Sequence, residues 1–155
     1  MAVPPDSDAL RLLREALAML ERERREPGAP IFDFHEKVIE ASRGPDLGAR
    51  IEAAARDWHW HAVADLLANL SWCLPPDEES ALFREAESWL VAADDERRAA
   101  IALNLEIIPL SRPADEPRRT LALQRLRERF PPLAEEFEAL RRQLAQRGER
   151  ATETG

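Results

Sequence analysis

Prolines divide this chain into short segments, and the residues between them are mostly good helix formers. Pro75-Pro76, Pro109, Pro113, Pro117 and Pro131-Pro132 punctuate its second half. A proline lacks the backbone N–H and clashes with the preceding turn, so it stops a helix or sits in its first turn. Ala, Leu, Arg and Glu dominate the intervals and favour helix. There is no Tyr, and Val, Ile and Thr are few, so little material is left for strands. Short helices doubling back at prolines are the units of an antiparallel bundle or an α-solenoid. The fold expected is therefore all-α, a compact bundle or short HEAT-like solenoid of about six to eight helices. No clean internal repeat is found. The 155 residues, 45% of them apolar, suffice for one core. A single helical domain is expected over 1–147, with the polar stretch 148–155 as a disordered tail.

The periodicity places the helices. Leu10, Leu13, Leu17 and Leu20 form a stripe at three and four spacing over 8–26, with Asp6 or Ser7 as N-cap and Pro27-Gly28 as the stop. A shorter helix over 31–42 buries Phe34, Val38 and Ile31. From Asp46 to Leu74 the pattern fits one long helix or two joined near Asp57. Asp77 then caps a helix over 78–93. Residues 97–108 (RRAAIALNLEII) are apolar nearly all round, which predicts the central helix of the core. Asn104 and Glu106 interrupt it, and must reach partners or, for Glu106, a pocket. Helices over 117–130 and 132–147 follow, with Leu133, Phe137, Leu140 and Leu144 as the stripe of the last.

Charge and cysteine usage narrow the function classes. The net charge of −8 argues against direct nucleic-acid binding, which is driven by Lys and Arg. Residues 46–100 hold twelve acids against five bases, and 112–155 hold ten bases against eight acids. An acidic middle suits a basic protein partner, although solvated helix faces produce the same pattern. The arginines of 118–129 read as such a solvated face. The base is almost always Arg, Lys37 being the one lysine, a bias that suits a GC-rich bacterial genome. Cys73 alone permits neither an internal disulfide nor a four-cysteine zinc site. Set between Trp72 and Leu74, it reads as a small core hydrophobe. The first twenty residues lack a basic n-region leading into an apolar run, so no signal peptide is expected. No apolar run approaches the roughly 20 residues that span a bilayer, so the expected location is the cytoplasm, away from membranes.

The most unusual stretch is Asp57-Trp58-His59-Trp60-His61 with Asp65, Asn69 and Trp72 following. At 100° per residue, Trp60, Val63, Leu67, Leu70 and Leu74 share one side, a stripe for the core. Trp58, His61, Ala62, Asp65, Asn69 and Trp72 fall on nearly the opposite side. Large amphipathic rings that anchor, beside polar groups that specify, are the composition of a binding hot spot. A helix packed on both sides would carry the same residues, with His61 and Asp65 simply paired one turn apart. Catalysis and metal binding find less support. His59 and His61 diverge on a helix, and there is no His-Glu-x-x-His and no pair of Glu-x-x-His motifs. His61 with Asp57 or Asp65, and His35-Glu36 from another helix, are the remaining ligand sets. Gly-x-Ser-x-Gly and phosphate-binding glycine loops are missing. No cofactor, no metal and no catalytic residue are expected.

The expectation is a non-catalytic intracellular protein-binding module. Its most concrete form is a small acidic inhibitor, such as a bacterial toxin-immunity or antitoxin-like protein. Trp58, His61, Asp65, Asn69 and Trp72 would make the contact, with Asp77, Glu78 and Glu79 as the acidic rim and a basic protein as partner. A helical adaptor or structural subunit of a larger complex is the alternative, docking through its terminal leucine stripes. A small-molecule or metal-binding regulator is the minor one. The oligomeric state is left open.

Overall fold

A computed structural model of the chain describes residues 11, 13–19, 22, 36–40, 44 and 46–153. Among these residues the regular elements are all helical. They comprise α1 (13–19), α2 (36–40), α3 (Leu47–Ala54), α4 (Trp60–Ser71), α5 (Pro76–Ala92), α6 (Glu96–Ala102), α7 (Glu116–Arg129) and α8 (Pro131–Glu153), with a 3₁₀ turn over Pro113–Asp115. The all-α fold expected from the proline spacing is the fold of the molecule. The chain divides into two compact units, Met1–Glu85 and Ala86–Gly155, and the boundary falls inside α5.

In the first unit Leu13, Ala16 and Leu17 of α1 are buried, as are Val38 of α2, Ile51 of α3 and Leu82 of α5. Leu10, Leu20, Ile31, Phe34, and the proposed cap (Asp6 or Ser7) and stop (Pro27-Gly28) of the first helix lie outside the described residues. The stretch from Asp46 to Leu74 is two helices. The break falls at Ala55–His59, with no proline or glycine to announce it. Its cause is local. His59 adopts an extended backbone (φ −60, ψ 140) and its Nδ1 accepts the His61 N–H at 3.2 Å, making it the N-cap of α4.

The start of α3 is built from a distance. Asp46 stands at the N-cap without a side-chain bond. Instead the Glu85 carboxylate, carried by α5, accepts the N–H of Gly48 at 2.8 Å and of Ala49 at 3.2 Å. These are two of the donors a helix N-terminus leaves open, and the negative charge suits that end. A Cβ on Gly48 would lie 2.5 Å from Glu85 Oε1, so the clasp requires glycine. Glu85→Ala is expected to cost about 1–2 kcal/mol of stability in urea unfolding. Gly48→Ala should destabilise the native chain, and should cost less in the Glu85→Ala chain, where only the Leu82 methyl at 3.2 Å still crowds the new Cβ and helix propensity favours alanine. Equal effects in the two backgrounds would show that the clasp contributes nothing.

Pro76 occupies the first turn of α5, where its missing N–H has no consequence. Asp77 is thus inside the helix rather than its cap, and it shares the first turn with Glu78 and Glu79. In the second unit, Ala93 closes α5 with a left-handed backbone (φ 47), its N–H reaching Trp89 O at 3.0 Å. Arg125 and Arg129, one turn apart on α7, donate to Val91 O at 2.8 Å and Ala93 O at 3.1 Å. These arginines are therefore fasteners for a helix C-terminus, where positive charge is favoured, and not merely a solvated face.

The apolar segment 97–108 is a helix only as far as Ala102. Asp95 caps it by accepting the Arg98 N–H at 3.1 Å. Its end is set by Asn104, whose Nδ2 donates to Ala100 O at 2.8 Å and to Glu136 Oε1 at 3.0 Å. A side chain that bonds back to the last turn competes with continuation of the helix. Glu106 follows with φ 68 and is exposed, so neither a buried ion pair nor a pocket is needed for it. Ala99 to Leu103 are nonetheless buried without exception, as are Leu105 and Leu110. Glu87, itself buried, accepts the Leu110 N–H at 3.1 Å, and Arg119 donates to the Leu110 carbonyl. The left-handed Leu110 (φ 53) is thereby held from both sides. On α7 and α8, Leu123, Leu126, Leu133 and Phe137 are buried. α8 runs on to Glu153, past Gly148, where a helix end was expected.

Candidate functional site

α4 presents two faces of different character. Val63, Leu67 and Leu70 are fully buried and Leu74 nearly so, as the helical spacing predicts, while Trp60 at the start of the stripe is half-buried. The opposite face is open. His61 and Asn69 are exposed, Asp65 is half-exposed, and Trp72, the C-cap, is 78% exposed. His61 Nδ1 lies 3.6 Å from Asp65 Oδ2 across one turn. The arrangement thus brings His61, Asp65, Asn69 and Trp72 onto one solvent-facing stripe.

Trp58 does not ride on that stripe. It precedes the helix, half-buried, with its backbone N–H bonded to Ala55 O at 2.9 Å. The rings of His59 and Trp60 lie 5.4 Å apart, and those of Trp60 and His61 meet edge-on at 5.5 Å. These ring contacts lie at the entry to α4. Cys73 is exposed, contrary to its expected place in the core, and its Sγ lies 3.9 Å from Asn69 O. Cys73 lies in the turn that follows α4, between exposed Trp72 and buried Leu74.

The acidic trio sits at the start of α5. Asp77 is exposed and Glu78 and Glu79 are half-exposed. Asp77 and Glu78 line a shallow cleft of about 260 Å³ together with Gly44, Leu47, Leu82 and Glu85. They thus border the start of α3. Glu85 and Gly48 were not singled out from the sequence. The signal available was a glycine in the first turn of a predicted helix, in a chain with only five glycines.

Among the described residues no group of three or more His, Cys, Asp and Glu could hold a metal ion. His35 lies outside them, and Glu36 is exposed. No helix among the described residues is long and apolar enough to cross a membrane. The chain matches no family model, no curated protein and no solved structure.

Proposed function

We propose that this chain is a non-catalytic protein-binding module that works in the cytoplasm and docks through the open face of α4. The observation that carries the reading is Trp72, a large ring left 78% exposed at the end of a helix whose other face is core. Exposed tryptophan is costly to keep in water and is enriched where proteins meet. Asp65 and Asn69 beside it supply polar groups that would specify a partner. The concrete form proposed is a small acidic inhibitor, of the kind that neutralises a basic toxin by occluding it. Net charge −8 would speed such an encounter. The helical adaptor is less favoured, because Leu13 and Leu17 of the first leucine stripe are both only 2% exposed and so are not offered to another chain.

The test is a tagged pull-down at low and high salt from the native host, with the captured protein identified and its affinity measured. Trp72→Ala combined with Asp65→Ala is expected to abolish capture while melting changes by no more than about 0.5 kcal/mol, since both positions face solvent. Undiminished capture by that variant would remove α4 from the interface.

A further inference from the structure

We propose that the occupant of the α4 face is a positively charged protein segment that lays an arginine side chain on the ring of Trp72, an inference that rests on that face being a docking surface. The argument is one of charge around an open ring. All 22 lysines and arginines of the chain lie outside the stretch from Asp57 to Phe83, which holds Asp57, Asp65, Asp77, Glu78 and Glu79. None of those five acids is buried. α4 also has no basic residue in its last turn, so the negative end of its dipole adds to the field at Trp72. α5 and α7 differ. The final carbonyls of α5 are held by Arg125 and Arg129, and α7 carries Arg127 and Arg129 in its own last turn.

An aromatic face carries a negative quadrupole and attracts cations, and the Asp65 carboxylate on the same stripe makes the local potential more negative still. This chain uses that contact itself, with the Arg98 guanidinium 5.3 Å from the Trp89 ring. An acidic partner, or a nucleic acid, would meet only like charge here. A neutral apolar one would desolvate Asp65 and Asn69 without replacing their hydrogen bonds. Arginine suits the site better than lysine, because its guanidinium is planar, weakly hydrated and able to stack while its edge reaches a carboxylate.

The test uses the full ¹⁵N-labelled chain and watches the indole N–H resonances, with that of Trp72 assigned as the one lost in Trp72→Phe. The probe is the peptide acetyl-Gly-Arg-Gly-Arg-Gly-amide, set against its citrulline counterpart, which keeps the shape and lacks the charge. The arginine peptide is expected to move the Trp72 resonance, to leave that of buried Trp89 in place, and to lose its effect in high salt. An equal response to citrulline, or none to arginine, overturns the proposal. A second measurement separates this inference from the docking reading beneath it. With the partner captured by pull-down, Trp72→Leu should weaken binding roughly 3- to 30-fold, the worth of a cation–π contact. Full affinity for Trp72→Leu with loss for Trp72→Ala would mean an apolar anchor, so the arginine fails and docking stands. Full affinity for both would bring down the docking reading as well.

Discussion

Ile101→Asp is expected to abolish the cooperative melting transition, leaving the chain with reduced helicity at 222 nm even at low temperature. Ile101 is fully buried at the centre of a run, Ala99 to Leu103, in which every side chain is buried. Truncating a core isoleucine costs about 2–5 kcal/mol by itself. Placing a carboxylate there adds the desolvation of an ion at a fully buried position, several kcal/mol more. Native stabilities of about 5–15 kcal/mol leave little after such a loss. Ile101→Val serves as the control and should cost only about 0.5–1.5 kcal/mol. A normal melting curve for the aspartate variant would show that this segment is not core.

Much of this arrangement was legible in the residues. Pro75-Pro76 and Pro131-Pro132 mark helix starts because proline acts on its own backbone and that of its neighbour. The stripe Val63, Leu67, Leu70 could be placed because spacing alone sets which side chains share a face. The side chains that hold three helix ends were not legible, although two of those ends were placed to within a residue, and they have one physical origin. The end of α6 depends on Asn104 bonding back to Ala100 O and across to Glu136. The start of α3 depends on Glu85, well over thirty residues away in sequence. The close of α5 depends on Arg125 and Arg129. Polar side chains acting across the fold leave no period in the sequence. The break at His59 is local, but histidine is not among the residues that usually signal a cap.

The candidate site shows the same division. Helical spacing separates the Trp72 side of α4 from the Leu67 side, yet it cannot say whether a second element covers the former. Only packing decides that, and Trp72 at 78% exposure is uncovered within this chain. Trp58 was placed with Trp72 by assuming one continuous helix. The break before Trp60 takes it off that face. A docking surface inferred from periodicity is thus trimmed to the residues that α4 itself carries, with His61, Asp65 and Asn69 leading to Trp72.

Periodicity also overstates how far α8 belongs to the core, and the second large effect follows from that. Leu133, Phe137, Leu140 and Leu144 repeat at helical spacing and look equivalent in sequence. In the fold Phe137 is completely buried, Leu140 is half-buried and Leu144 is 41% exposed, while every residue from Arg141 to Gly148 faces solvent. Phe137→Ala is therefore expected to destabilise by about 3–5 kcal/mol, the sum of lost apolar transfer and the cavity left behind. Leu144→Ala should stay within about 0.5 kcal/mol of the parent, because its side chain fills no core space and alanine is the better helix former. Urea unfolding of the two variants reads the difference directly. Comparable losses at both positions would mean that the end of α8 is covered by something, and Leu144 would then mark a contact surface of its own.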